Sequence, residues 1–190
     1  MPIIVPEGFS NYKMLSIDPG LNNTGIAIFE IDYNTKIINS IEAYTILTNK
    51  LYNNTGLDEE FFTERKIKLY KLKRAIQEIL ILKNPCIVAC ESPFFNPMRP
   101  MAYGALLEVL SIIHSSIIEY NSNIPFISVE PLLVKKIIGA GMMKGKLDVK
   151  EAVKNNKSII SKLRNNIELL DEHSIDAIAV GYTFLNTRGS

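Results

Sequence analysis

Three β-patterned segments stand ahead of any helix, and that order restricts the fold more than any other feature of the chain. They cover about residues 13–18, 24–32 and 36–47, short runs rich in β-branched residues, divided by the turn-forming stretches "DPGLNN" and "DYNT". After an Asn-rich loop, "DEEFFTERKIKLYKLKRAIQEILILK" repeats apolar residues at helical spacing: Phe62, Ile67, Leu69, Leu72, Ile76, Ile79 and Leu80. Acids gather at its start and bases further along, as the helix dipole prefers. Pro85 ends it and opens a fourth strand, "CIVACE". Beyond the three prolines of "SPFFNPMRP", "MAYGALLEVLSIIHSSIIEY" reads as a largely buried helix. "IPFISVE" is a fifth strand, Pro131 starts a short helix, "GAGMMKGK" is a flexible loop, and helices at about 147–165 and 171–186 follow. The order β-β-β-α-β-α-β-α-α implies an α/β protein with a mixed sheet and helices on its faces. No repeat or linker divides it, so one domain over residues 1–190, with its core at about 13–186, is expected.

Composition adds bounds. Hydrophobic residues at 47 % and charged residues at 22 % are ordinary for a globular protein. No apolar run approaches the roughly 18 residues of a membrane span, and "MPIIVPEGFS" lacks the pattern of a signal peptide. Cys86 and Cys90 are expected on one side of a strand, too far apart to bridge, as thiols in a reducing cytoplasm. The net charge of +1 conceals an asymmetry: residues 1–64 carry a net of −6 and residues 65–190 a net of +7. Nine bases against Asp148 and Glu151 fall within 133–164. A solvated helical face fits this tract, and so does a surface that tracks phosphates.

Acids occupy the strand ends, where α/β sheets place chemistry. Asp18 closes the first strand and Glu91 the fourth; if these strands are adjacent and parallel, both carboxylates emerge at one edge. In "DEHSIDAIAVGYTF", Ile175, Ile178, Ala179 and Tyr182 form an apolar stripe, and His173 and Asp176 are three apart on one helix face. Each taken alone also fits a solvated turn or helix-start position. Together they are three carboxylates and an imidazole that one fold would gather, and clustered acids call for a divalent cation. Two ions about 4 Å apart are the usual arrangement for phosphodiester hydrolysis.

These motifs carry a resemblance. "SIDPGLNNTGIAIFE", "IVACESPFF" and "EHSIDAIAVG", in that order, resemble the metal-site segments of the RuvC-type Holliday-junction resolvases of the ribonuclease-H-like superfamily, over about residues 13–184. The resemblance implies a five-stranded mixed sheet, three strands antiparallel and then two parallel, flanked by helices. It implies Asp18, Glu91, His173 and Asp176 as catalytic and metal-binding residues, His173 standing where some members have Asp. It further implies two Mg²⁺ or Mn²⁺ ions per site, branched DNA as partner, and symmetric nicks with 5′-phosphate ends. Phe94, followed by Phe95, falls where the family has an aromatic wedge at the junction centre. Its two functional lysines fall on Lys135 and Lys146, with Lys136 or Lys144 as alternatives and Lys150 among the backbone-tracking bases. A homodimer through the helix at about 100–120 is implied, with His114 a core or interface residue. Three other readings stand beside it: a relative cutting flaps, forks or RNA–DNA hybrids, a non-catalytic junction binder, and an actin-like phosphate-binding protein, which would need a second domain. Richness in Ile, Asn and Lys suggests an AT-rich genome, that of a bacterium or bacteriophage.

Overall fold

The computed structural model describes residues 10–51, 60–95, 97–98, 100–141 and 148–188. Five strands form one sheet: β1 (Asn11–Asp18), β2 (Asn23–Asp32), β3 (Ile38–Leu47), β4 (Ile87–Glu91) and β5 (Phe126–Val129), in the order β3-β2-β1-β4-β5. β1, β2 and β3 are antiparallel, and β4 and β5 join parallel to β1, as expected. β1 is buried on both faces because layers cover both. Its Met14 packs with Phe29, Ile31, Ile175 and Ile178, while Leu15 and Ile17 face the opposite way toward Leu72, Ile76, Leu80 and Ile113.

The first layer holds α6 (Glu172–Arg188) with α3 (Pro131–Ile138) and α4 (Val149–Asn155); the second holds α1 (Glu64–Lys83) and α2 (Pro100–Asn121). α1 starts later than its apolar pattern suggests, because Thr63 caps it by accepting the Lys66 N–H, leaving Phe61 and Phe62 outside and exposed. Its end is set by Asn84, which adopts a left-handed conformation (φ 47°) just before Pro85.

The structure corrects the long helix expected at 147–165. It stops at Asn155, because the Asn156 side chain accepts the N–H groups of Ser158 and Ile159 and starts the single-turn α5 (Lys157–Ile160). The chain then runs along the exposed edge of β3. The Ile41 N–H donates to the Lys162 carbonyl (2.8 Å), the Arg164 N–H to Ile41 (2.8 Å), and the Ala43 N–H to the Asn165 side chain (2.8 Å). Those bonds satisfy edge groups that a continuous helix would have left open.

Two further expectations change. Cys90 lies on the α1/α2 side of the sheet, whereas Cys86 packs on the α6 side, because Cys86 precedes the regular alternation of β4. α2 is not largely buried: only Val109, Ile113, Ser116 and Ile117 are enclosed. By length and composition α2 could cross a bilayer, although no such run was expected. One side of it is nevertheless tied to α1, through Glu108 with Arg65 (2.8 Å) and Glu119 with Lys73 (2.7 Å).

Candidate active site

β1 and β4 are parallel neighbours with Ile17 opposite Cys90, so the next residue of each, Asp18 and Glu91, emerges at the same edge. α6 brings the other two groups there. Its first turn is capped by Asp171, whose Oδ1 accepts the Ser174 N–H (3.0 Å). The helix is clamped to β1 by a buried bond from Ser16 Oγ to the Ala177 carbonyl (2.7 Å). Two missing side chains allow the approach. A Cβ on Gly25 would stand 1.9 Å from the His173 carbonyl oxygen, and one on Gly181 would stand 2.3 Å from the Phe29 ring. The outcome is a direct contact between the first strand and the last helix: His173 Nδ1 lies 2.9 Å from Asp18 Oδ2.

The electrostatics follow from burying like charges together. Burial first, then the charges of Asp18 and Asp176, push Glu91 up to about 7. Burial and the Asp18 charge likewise push Asp176 up to about 7. Asp18 is raised by burial and pulled back by its bond to His173. For His173, burial works downward, but the Asp18 hydrogen bond and charge outweigh it and raise the imidazole.

The four groups converge without closing: among the described residues, no three His, Cys, Asp or Glu side chains stand at metal-ligand spacing. The donor set still fits a hard divalent cation, since two carboxylates pushed up to about 7 by burial and the nearby Asp18 charge are what such an ion relieves.

The remaining candidates divide. Lys135, exposed on α3, is close enough to draw both Glu91 and Asp176 downward. Lys136 is exposed beside it in sequence, and Lys150 turns away to the Leu170 carbonyl (3.4 Å). Lys144 and Lys146 lie outside the described residues. Part of the basic tract is spent on the surface, Lys154 on Glu168 (2.9 Å) and Arg164 on Glu30 (3.1 Å). Phe94 and Phe95 are 68 % and 51 % exposed just past Glu91, and Phe95 meets Tyr103 edge to face at 5.2 Å. His114 is exposed and stacks obliquely near Phe126 at 5.2 Å, so it is no core histidine. Ser16 and Gly25, which seat α6, escape a search for reactive side chains. A lone serine inside the apolar run "KMLSI" was the available signal for the first, and the second glycine of the opening hairpin for the other.

No protein-family model matches the chain. It is 26 % identical over 184 residues to the crossover junction endodeoxyribonuclease RuvC of a Wolbachia from Brugia malayi, covering 94 % of this chain and 96 % of that protein. It is 26 % identical over 182 residues to RuvC of Prochlorococcus marinus, covering 93 % and 98 %. Among solved structures, Thermus thermophilus RuvC in complex with a Holliday-junction substrate superposes with a TM-score of 0.66 at 15 % identity, over 94 % of this chain and 96 % of that one. The yeast mitochondrial Holliday-junction resolvase Ydc2 follows with a TM-score of 0.61 at 13 % identity, over 90 % and 77 %. The fold is thus that of the RuvC-like, ribonuclease-H-type resolvases.

Proposed function

We propose that this chain, matched nearly end to end by RuvC-type resolvases, is a metal-dependent endonuclease that resolves four-way DNA junctions by paired symmetric nicks leaving 5′-phosphates. One observation carries the reading: Asp18 and Glu91 at neighbouring parallel strand ends, with His173 and Asp176 delivered to the same edge by α6. Asp18, Glu91 and Asp176 would hold two Mg²⁺ or Mn²⁺ ions, with His173 beside them. Bound there, the metal supplies an activated attacking water and charge stabilisation for the leaving 3′ oxygen.

The chain's own groups do the rest. Lys135 offers positive charge to the phosphate that the acids would otherwise repel. Lys146 shares that role by resemblance, and Lys136 and Lys144 follow the backbone. Phe94 and Phe95 present apolar rings beside the acids, suited to wedging between or stacking on unpaired bases. Two opposed cuts need two sites, and α2 offers a surface for pairing two copies. Leu107, Ser111, His114 and Ile118 recur along one exposed stripe at spacings of three and four residues. The free thiols of Cys86 and Cys90 suit a bacterial or infected-host cytoplasm.

The test is cleavage of a synthetic four-way junction with Mg²⁺ and then Mn²⁺, beside linear duplex, a flap and an RNA–DNA hybrid. Symmetric ligatable nicks, lost in Asp18→Asn, are expected. Binding without cutting, or preference for the flap or hybrid, would overturn the assignment. Imidazole suits Mn²⁺ better than Mg²⁺, so Mn²⁺ should support equal or higher activity. Equal failure of His173→Asp with both metals would count against a ligand role.

A further inference from the structure

Asn23, the first residue of β2, touches the site although neither the strand pattern nor the resemblance singles it out. Its Nδ2 lies 3.3 Å from His173 Nε2, the ring nitrogen opposite the one that meets Asp18. An amide nitrogen only donates, so the Nε2 it faces is a bare acceptor. An ionised carboxylate only accepts, so the nitrogen facing Asp18 carries the proton. Both contacts describe one species, the neutral imidazole with its proton on Nδ1. A competitor stands nearby: Glu172 Oε1 is 3.7 Å from the same Nε2 and would draw a proton onto it.

Asn23 is held firmly for a residue leaving a turn. Buried Thr48 secures the preceding residues: its N–H donates to the Asn22 carbonyl (2.9 Å) and its hydroxyl to the Leu21 carbonyl (2.7 Å). Lys68 Nζ donates to Asn22 Oδ1 (2.9 Å), and Thr24 Oγ1 bonds back to the Gly20 carbonyl (2.6 Å). With its neighbours fixed on both sides, the Asn23 amide has little freedom left to lose when it meets the ring. Gly25, two residues on, admits the first turn of α6 and so sets His173 against it.

We infer that Asn23 is a positioning residue: by donating to Nε2 it keeps His173 in the Nδ1–H form, with the Nε2 lone pair available to the site, against the pull of Glu172. The purpose rests on the nuclease reading, because a metal ligand and a proton acceptor both need that lone pair. The geometry does not depend on it. A neutral amide suits the task, since an incoming cation or water can displace it more readily than it could a charged partner.

The test is nitrogen-15 NMR of the His173 ring in the metal-free protein at mildly alkaline pH. The wild type should show a protonated Nδ1 and a bare Nε2. Asn23→Leu should shift proton population to Nε2, and adding Glu172→Ala should restore the wild-type pattern, which a collapsed fold would not do. Mn²⁺ affinity should fall about 10-fold in Asn23→Leu, the lower end of what loss of a ligand-orienting partner costs. A protonated Nε2 in the wild type, or an unchanged ring in Asn23→Leu, would overturn the inference. The expected spectra in a protein that cuts no junction would remove the nuclease reading and leave the positioning role standing.

Discussion

Gly25→Ala turns the seating of α6 into a measurable quantity. The added Cβ would lie 1.9 Å from the His173 carbonyl oxygen and 3.2 Å from the Asp18 Cβ, where ordinary contact begins at 3.4 Å. The helix start and β2 must therefore separate by about 1.5 Å, and both sides of the clash are elements anchored elsewhere, α6 by the Ser16–Ala177 bond and Gly181. Overpacking of this kind costs about 1–3 kcal/mol, and a clash with backbone belongs at the top of that range. With a urea slope of roughly 2 kcal/mol per molar, the unfolding midpoint should fall by about 1–1.5 M. The same displacement moves His173 and Asp176 against Asp18 and Glu91. A misplacement of about 1 Å lowers a rate by about 100-fold, so junction cleavage per folded molecule should drop by at least that. Urea unfolding followed by circular dichroism, and single-turnover cleavage at saturating enzyme, read the two effects separately. An unchanged midpoint would refute the packing argument. A lowered midpoint with full cleavage per folded molecule would refute the link between helix seat and site.

Other outcomes follow from the same geometry. Glu91 and Asp176 are raised to about 7 in the folded protein, so the native state binds more protons than the unfolded one between about pH 4 and 7; metal-free stability should fall as pH rises through that window. Urea midpoints across the window check this, and Asp176→Asn should flatten the slope. Cation binding must displace those protons, so cleavage at limiting Mg²⁺ should rise as pH passes about 7, and a rate flat in pH would contradict the clustering. Phe94→Ala should lower junction cleavage with little effect on duplex affinity, because the 68 % exposed ring supports no core; equal losses on both would argue against a wedge. Ile118→Glu, at a 52 % exposed position on α2, should convert a dimer to monomers in analytical ultracentrifugation, and an unaltered sedimentation profile would exclude that stripe as the interface.

Legibility followed the range of the interaction. Asp18, Glu91 and the His173–Asp176 pair could be picked out because strand ends and three-residue helical spacing are local patterns. Element order carried the topology, since three strands before the first helix leave few ways to build a sheet. Phe62 and the expected helix across Asn156 misled for the converse reason: apolar periodicity continues past a cap, and only the capping bonds of Thr63 and Asn156 show where the backbone turns.

By itself, then, the sequence determined the kinds of elements, their order, and which acids stand at strand ends, because backbone preference and side-chain period act over a few residues. Tertiary structure alone decided that β1 and β4 lie side by side and that α6 rests close enough for His173 to reach Asp18 across 155 positions of chain. It also decided that Asn23 meets the far side of the same ring and that one face of α2 stays uncovered. Those contacts depend on volumes that must fit between distant elements, including the side chains that Gly25 and Gly181 lack, and no local pattern encodes a fit of that kind.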